Sequence, residues 1–342
     1  MKIPFNFAAL SSVMPKTTTA QDLWHLALLP LVVSTGFATM FGFAKYLSVA
    51  LLYTQVFVAA VDPQAIYDGG IKGNKGPIKL RIGNGGAGQS GLIKVLADEF
   101  IKFEVKRGAK PFRVAWYLSD TTVSINYLQA GTVDVGFTYS AVAEKIAIQQ
   151  GIATSRHYAW RDHFLLVGPP ENPAKISNSS DILTIFSNIH KAAQKNKVTD
   201  RVQTRFLSRY DKSATNIKES QMWIGIGQVP WATAYSTWYH TYITFPIEAL
   251  NAAILLKEYT ITDRGTYLSI NPALAKKTVI YKAATDNATD PLLNPAFLLI
   301  GKKATNVGTV NNFRKWVVDK KLGQKAIIAF KKNGKQLYTG AP

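Results

Sequence analysis

The 342-residue sequence contains no cysteine. This absence excludes disulfides, a cysteine nucleophile, cysteine–zinc sites and the cysteine-based lipid anchor of bacterial exported proteins. Histidine is scarce, with five residues, and none stands in an H-E-x-x-H or comparable metal-binding spacing. A G-x-S-x-G motif is also missing, so a serine hydrolase of that kind has no support.

Acidic residues are few compared with basic ones, 21 against 40, and the formal net charge is +19. Lysine and arginine are scattered from Lys72 to Lys335 rather than gathered in one block, which indicates a solvated basic surface that attracts anions. Nucleic acid, acidic wall polymers and anionic membranes are all possible partners of such a surface, although no specific nucleic-acid partner is predicted. A hydrophobic content of 47% is typical of a globular protein large enough for two lobes.

The N-terminal region is apolar over residues 23–61, broken mainly by Lys45. The chain from Met40 carries one lysine, an apolar core over 46–58 and small residues up to Ala60, which predicts a secretory signal cleaved near Ala60. Residues 1–61 are therefore predicted to be a leader, with residues 1–39 an over-extended start. The alternative is a membrane anchor retained at 23–61. The leader holds three lysines and one aspartate, so +17 of the charge belongs to the remainder.

Two N-x-S/T sequons, at Asn178 and Asn287, agree with a secretory route and are candidate glycosylation sites. The sequence therefore predicts a secreted protein, which contacts a membrane only if the apolar segment is retained.

Short β-branched stretches alternate with helical patterns from Pro77 onward, after a loose connecting segment at 62–76. This alternation predicts an α/β fold with parallel sheets and helices on both faces. The predicted strands are 78–82, 112–116, 133–138, 164–167, 204–208 and 297–300. The predicted helices are 91–106, 122–129, 141–150, 181–194, 214–225, 247–256 and 310–330, the last broken at Gly323.

A glycine-rich loop, R-I-G-N-G-G-A-G-Q-S-G-L, occupies residues 81–92 between a predicted strand and a helix. Such a loop directs backbone N–H groups toward an anion at a helix N-terminus. Its glycines match G-x-G-x-x-G, but the nearest acidic residue beyond the helix, Asp120, is too distant for a dinucleotide fold. The lysine of a nucleoside-triphosphate loop is absent. A dehydrogenase-like enzyme, a small free anion and a turn without ligand all remain open.

A second stretch, F-L-S-R-Y-D-K-S-A-T-N-I-K-E over 206–219, predicts a strand end followed by a helix. It brings Arg209, Ser213 and Thr215 to one helix N-terminus, where a planar cation, hydroxyl groups and free N–H groups suit an oxyanion. The alternative is local: Asp211 or Ser213 caps the helix, and Arg209 pairs with Asp211.

The segment 208–215, S-R-Y-D-K-S-A-T, resembles the S-R-G-D-x-S-G-T signature of extracellular tungstate-binding proteins, which belong to the periplasmic-binding-protein superfamily. Further similar segments follow in the order of that family, and together they cover roughly residues 78–340. These segments are S-G-L at 90–92, G-T-V-D-V at 131–135, R-D-H-F-L-L-V-G-P at 161–169, Y-T-I-T-D-R-G-T-Y-L at 259–268 and D-P-L-L-N-P at 290–295.

The resemblance implies a two-lobed, type II periplasmic-binding-protein fold, each lobe a mainly parallel sheet flanked by helices, with a ligand cleft between them. Lobe I would comprise 77–160 and about 282–342, and lobe II about 161–281. It further implies a non-catalytic, monomeric, cofactor-free protein that captures a small tetrahedral oxyanion such as tungstate or molybdate. The transporter partner of such receptors stays open for this chain.

The ligand-binding residues implied by the resemblance combine backbone, hydroxyl and guanidinium donors. They are Asn84, Gly85, Gly86, Ser90, Thr121, Thr122, Arg209, Ser213 and Thr215. Two departures affect specificity: residues 83–86 replace the T-T-T-S of the family, and I-T-F-P at 243–246 replaces its G-Q-G-M. Tungstate selectivity therefore does not follow from the resemblance.

A basic surface protein that holds acidic polymers is the alternative from a different functional class. Three further expectations concern single features. His163 is predicted to be a packed core residue, Asp162 and Asp263 are predicted to pair with Arg161 and Arg264, and the aromatic residues over 223–242 are predicted to form core and surface rather than a sugar platform.

Overall fold

The computed structural model describes residues 61–233 and 235–342. Nearly all of the predicted leader, residues 1–60, lies outside the described residues.

The strands of the described chain are short except for two. They are β1 (Ala65–Tyr67), β2 (Ile78–Asn84), β3 (Arg113–Leu118), β4 (Val135–Thr138), β5 (Ala153–Gly168), β6 (Phe206–Ser208), β7 (Tyr239–Thr241), β8 (Thr260–Asp263), β9 (Val279–Ala283), β10 (Leu293–Gly301), β11 (Lys331–Lys332), β12 (Lys335–Gln336) and β13 (Thr339–Gly340). The two long strands, β5 and β10, pair with each other in the main sheet.

The helices alternate with these strands, as the sequence predicts. They are α1 (Gly86–Ser90), α2 (Leu92–Lys106), α3 (Thr121–Ala130), α4 (Ala141–Gln149), α5 (Ile182–Ala193), α6 (Ala214–Gly225), α7 (Pro246–Leu255), α8 (Arg264–Tyr267), α9 (Pro272–Ala275), α10 (Val307–Val318) and α11 (Gly323–Ala329), with a 3-10 turn at Pro230–Ala232. None of the described helices is long and apolar enough to cross a membrane.

The main sheet has the strand order β1-β3-β2-β4-β10-β5-β13, and β8 and β9 pair with the end of β5. Strand β2 runs parallel to β3 and β4, whereas β10 runs antiparallel to both β4 and β5. The α/β fold class is therefore confirmed, but the prediction of mainly parallel sheets is wrong. Residue patterns reflect burial, and they do not reveal that a strand from late in the chain inserts between β4 and β5 with opposite direction.

Most predicted elements are present, and the differences have local causes. The helix predicted at 310–330 is two helices, α10 and α11, because the backbone becomes extended at Asp319. Gly323 begins α11 and packs against the end of α10, where a Cβ atom on Gly323 would lie 2.4 Å from the Cα of Val317. The strand predicted at 164–167 is the end of the much longer β5. Its first eleven residues, A-T-S-R-H-Y-A-W-R-D-H, are too polar to be recognised as a buried strand. Within segment 62–76, β1 pairs with the edge strand β3.

Two large hydrophobic clusters stabilise the described chain. One is formed by β2–β4, α2, β10 and α10, with Phe100, Phe137 and Phe313 among its buried members. The other contains Phe164, Phe206 and Trp223. Many of the aromatic residues over 223–242 thus belong to the core, as predicted, while Tyr235 is 95% exposed.

Candidate functional site

A small cavity of about 80 Å³ lies where loops from both halves of the chain meet. Its lining contains six of the nine predicted ligand residues: Gly85, Gly86, Thr121, Arg209, Ser213 and Thr215. The other lining residues are Gln89, Leu118, Ser119, Asp120, Phe137, Tyr139, Asp162, Phe164, Ala214, Phe245, Pro246, Asp263 and Asn294. The volume is well below the roughly 300–1,000 Å³ of sites for drug-sized ligands, so the cavity suits a small ion and not a dinucleotide.

Five helices begin at this cavity. The residues that precede the first turns of α1, α3, α6, α7 and α8 all line it: Gly85, Asp120, Ser213, Phe245 and Asp263. The first N–H groups of a helix have no intrahelical acceptor, and the helix dipole makes that end positive. The three longer helices, α3, α6 and α7, therefore direct positive ends toward the cavity, and the single turns α1 and α8 add N–H groups.

The five helices differ in whether a capping side chain already accepts from their first N–H groups. Asp120, Ser213 and Asp263 accept hydrogen bonds from the N–H groups of Val123 (2.8 Å), Asn216 (3.3 Å) and Thr266 (2.8 Å). Gly85 and Phe245 make no side-chain cap in the described structure. Apart from the N–H of Gly88, which donates to Asn84, and from Pro246, which has no N–H, the starts of α1 and α7 are thus the ends whose backbone donors remain available to a bound anion.

Arg209 is the cation of the cavity and is only 8% exposed. Its Nε donates to the carbonyl oxygen of Thr244 at 3.2 Å, and its guanidinium forms an ion pair with Asp211. Asp211 also accepts from the N–H of Ser213 at 3.0 Å. The local alternative for this stretch is therefore present, since Arg209 pairs with Asp211 and Ser213 caps α6. Arg209, Ser213 and Thr215 nevertheless all line the cavity.

Three predicted ligand residues do not line the cavity. Ser90 hydrogen-bonds to the hydroxyl of Tyr338 at 2.9 Å and donates to the carbonyl of Ala87 at 3.0 Å. Thr122 is exposed, and its hydroxyl lies 3.5 Å from the carbonyl oxygen of Lys212.

Asn84, the third of them, is fully buried and links β2 to its neighbours. Its side chain donates to the carbonyl of Phe137 at 3.1 Å and accepts from the N–H of Gly88 at 2.8 Å. Its carbonyl accepts from the indole of Trp116 at 2.8 Å. The side chain of Asn84 therefore holds α1 in place and does not face the cavity.

Three carboxyl groups in the lining were not expected at an anion site: those of Asp120, Asp162 and Asp263. Asp120 and Asp263 cap helices, and burial raises the pKa of Asp120. Asp162 accepts from the N–H of His163 at 2.8 Å and from the side chain of Asn294 at 3.3 Å. Burial, followed by the charge of Asp263, raises the pKa of Asp162 well above its ordinary value.

The predicted pairs Asp162–Arg161 and Asp263–Arg264 are absent from the ion pairs of the described residues. Arg161 instead donates to the carbonyl of Gly340 at 2.7 Å, because neighbouring residues on a strand face opposite sides of the sheet. The Asp-x-x-Thr pattern at 263–266 was the available signal that Asp263 caps a helix. His163 is buried, as predicted, and bonds to Asp286 at 2.8 Å.

Glu219, on α6, has a buried carboxyl group that bonds to Ser208, the residue before Arg209. Its Oε1 accepts from the side-chain amide of Asn216 at 2.9 Å and from the hydroxyl of Ser208. Its Oε2 has no hydrogen-bond partner among residues 61–233 and 235–342. Burial is the main cause that raises the pKa of Glu219 to about 8. No group of three or more His, Asp or Glu in the described chain could hold a metal ion.

The fold and the cleft-like site define a binding protein of the periplasmic class, and the chain belongs to the PBP superfamily, whose domain model matches residues 67–321. The tungstate-binding protein TupA of Peptoclostridium acidaminophilum is 29% identical over 261 residues, 74% of this chain and 80% of that protein. The earlier resemblance to tungstate-binding proteins is thereby confirmed.

Solved structures agree with this assignment. A crystal structure described as a "periplasmic putative metal binding protein" is 61% identical, covers 82% of this chain and 99% of its own, and gives a TM-score of 0.75. The tungstate ABC transporter structure from Geobacter sulfurreducens is 25% identical, covers 73% and 98%, and gives a TM-score of 0.56.

Proposed function

We propose that the protein is a non-catalytic solute-binding protein that captures a small tetrahedral oxyanion in the cavity between two lobes. The observation that carries the proposal is the convergence of five helix N-termini and the guanidinium of Arg209 on one small cavity. Backbone N–H groups, hydroxyls and a planar cation are the donors that oxyanions prefer. Thr121, Ser213 and Thr215, together with Ser119 and Tyr139, supply the hydroxyl groups of the lining.

The proposed lobes are 77–160 with about 282–342, and about 161–281. The two large hydrophobic clusters support this division outside residues 282–292, because the first draws its members from 80–160 and 296–338 and the second from 164–292. Ala284 and Leu292, at the start of the second part of lobe I, pack in the second cluster. Strand β5 belongs to both lobes, and the cavity lies beside its midpoint at Asp162.

The proposed ligand is a tungstate- or molybdate-like dianion, since relatives are named as tungstate-binding. The start of α1, where residues 83–86 replace the hydroxyl donors of the family, would contribute backbone N–H groups. Phe245 and Pro246, which stand in the segment that replaces G-Q-G-M, line the cavity and reduce its size on that side.

We further propose that the protein acts outside the cytoplasm as a monomer, delivered by the leader at residues 1–61. The exposed positions of Asn178 and Asn287 are compatible with glycosylation there. A similar solved structure is named as a tungstate ABC transporter, and a transporter is accordingly the proposed class of partner.

The test is ligand-induced stabilisation. Sodium tungstate or molybdate should raise the melting temperature, because a ligand at a hundred times its Kd adds about 2.7 kcal/mol to the free energy of unfolding.

Arg209→Ala should weaken binding about 10- to 100-fold through loss of charge-assisted hydrogen bonds. The matched control is Arg107→Ala, since the side chain of Arg107 is 65% exposed and distant from the cavity lining. Absence of a shift with any tetrahedral oxyanion at millimolar concentration would contradict the proposal.

The net charge of +19 favours a second candidate, a surface protein that holds acidic polymers. Binding of that kind depends on many dispersed charges, weakens steeply as salt is added and survives Arg209→Ala. Titration with a polyanion such as heparin at two salt concentrations, on the wild type and on this variant, separates the two functions.

A further inference from the structure

The charged side chains that line the cavity are mostly acidic, which is unfavourable for binding an anion. Arg209 is its single lining cation among the described residues, against the three carboxyl groups of Asp120, Asp162 and Asp263. Arg209 is in addition already paired with Asp211. If all these carboxyls were ionised, the lining would repel a dianion, since like charges in a low-dielectric site interact strongly.

Two of the three carboxylates are compensated by the helices that they cap. Asp263 accepts from both the N–H and the hydroxyl of Thr266, and Asp120 accepts from the N–H of Val123. Both therefore lie at positive helix ends, where a negative charge is favourable. Asp162 is different, because it stands in the middle of β5 and no helix begins at it.

Asp162 and Asp263 are neighbours across β5 and β8. Asp263 is directly opposite Phe164 in the antiparallel pair, so Asp162, two residues from Phe164, points to the same face. Each carboxyl accepts two hydrogen bonds, but Asp162 is only 6% exposed, whereas Asp263 is half-buried and caps a helix. When two buried carboxyls interact, the proton stays on the one whose ionised form is less well stabilised.

The other ionisable groups near Asp162 do not remove this bias. Arg264, on α8, favours its ionised form. Tyr139, after β4, and Tyr338, before β13, are buried, and burial raises the pKa of both phenols well above the ordinary value, so both are neutral. Asn294 on β10 is uncharged. The hydrogen bonds from His163 and Asn294, and then the charge of Arg264, oppose the burial of Asp162 and the charge of Asp263, but the pKa of Asp162 stays well above its ordinary value.

Building on the oxyanion function proposed above, we propose that Asp162 is a specificity-determining residue that enters the complex as a neutral carboxylic acid and donates its O–H to an oxygen of the bound oxyanion. The proton lowers the negative charge of the lining and converts an acceptor into a donor. The site thereby favours an oxyanion that offers unprotonated oxygens, and its affinity decreases in alkaline solution as Asp162 loses the proton.

Calorimetric titration of the full chain with sodium tungstate tests this proposal. At pH 7, Asp162→Asn, which keeps a neutral hydrogen-bond donor, should bind within about threefold of the wild type. Asp162→Ala, which removes the donor, should bind about tenfold more weakly. The charge-matched control is Asp62→Asn, which removes an exposed carboxyl group outside the cavity lining. This variant should bind tungstate as the wild type does. Between pH 7 and 9.5 the ratio of the wild-type Kd to that of Asp162→Asn should rise as Asp162 loses the proton, and a ratio that does not rise contradicts the proposal.

Two outcomes overturn the inference while oxyanion binding stands. One is an Asn variant that binds tungstate more than tenfold tighter than the wild type at pH 7, which would show that Asp162 is normally charged. The other is an Ala variant with wild-type affinity. If neither the wild type nor any variant binds a tetrahedral oxyanion, the proposed function itself fails, and the inference with it.

A measurement on the wild type alone covers the case in which a variant does not fold. The infrared difference spectrum on adding tungstate at pH 7 should show a shift in the C=O stretch of a protonated carboxyl group. A difference spectrum without such a band overturns the proposal regardless of the variants.

Discussion

Glu219→Gln is expected to abolish a large loss of stability that the wild type undergoes between pH 5 and pH 9. Glu219 is completely buried, and its pKa is raised, mainly by burial, from its ordinary 4.5 to about 8. The folded state therefore holds a proton that the unfolded chain has released. The contribution of this group to stability is fully present below pH 4.5 and is lost as the pH rises to about 8.

The size of this effect follows from the two pKa values. Each unit of difference corresponds to about 1.4 kcal/mol, so the wild type should lose about 4 kcal/mol of unfolding free energy over this range through Glu219. Glutamine has the same shape, stays neutral and can keep the hydrogen bonds of Oε1 with Ser208 and Asn216. The variant should consequently be the more stable protein at pH 9.

Urea unfolding at pH 5, 7 and 9, followed by tryptophan fluorescence, measures this difference. The matched control is Glu99→Gln, because Glu99 is a half-exposed carboxylate paired only with Lys102, and its removal changes the net charge equally. The other buried carboxyls titrate in wild type and variants alike, so they cancel in the comparison. Parallel stability curves for the wild type and Glu219→Gln would show that Glu219 does not hold its proton.

Ionisation of Glu219 should also affect the site. Ser208, which donates to Glu219, accepts from the N–H of Tyr210 at 3.2 Å, and Arg209 lies between these two residues. A charge placed on Glu219 therefore acts on the backbone that carries the cation of the cavity.

Gly88→Ala is expected to destabilise the fold by about 3 kcal/mol, the upper end of the usual range for overpacking a core. A Cβ atom at position 88 would lie 2.2 Å from Cε2 of Trp116. The indole cannot easily move, because it is 7% exposed and donates to the carbonyl of Asn84. The same Asn84 holds the N–H of Gly88, so the start of α1 cannot retreat either.

Thermal and urea denaturation of two further variants test this explanation. Gly308→Ala, a glycine at the start of α10 with no atom within 4 Å of the added Cβ, should be neutral or stabilise by up to about 1 kcal/mol. Trp116→Phe removes part of the opposing ring, and Gly88→Ala should cost less in that background. An equal cost in both backgrounds would mean that the indole contact is not the cause.

The role of Gly88 shows what a motif can and cannot convey. The loop at 81–92 matches G-x-G-x-x-G, and the match raises the hypothesis of a dinucleotide enzyme. In the structure, the third glycine is required by an indole from the neighbouring strand, and the cavity beside the loop is too small for a dinucleotide. A glycine shows that the backbone must approach something closely, but it does not reveal what.

Helix starts were largely predictable from the sequence, because capping depends on a few consecutive residues. The start of α6 at S-A-T, with Arg209 just before it, was located correctly, and α6 has the predicted bounds. The roles of Asn84 and Ser90 were not predictable, because a polar residue in a loop can face a ligand or a neighbouring strand with the same local sequence.

Local sequence thus determined the alternation of helices and strands, the basic charge, the glycine loop and the cluster around Arg209, since all of these depend on residues close in the chain. Only the tertiary structure decided which way the strands run, that five helix starts meet at one cavity, and that Asp162 and Glu219 are buried. The surroundings of Asp162 arise when β10 inserts between β4 and β5 and brings Asn294 to it, whereas Glu219 is buried where α6 packs against β6 and β7. Proximity and the loss of water, which set the charge of a buried carboxyl, exist only after these elements have packed together.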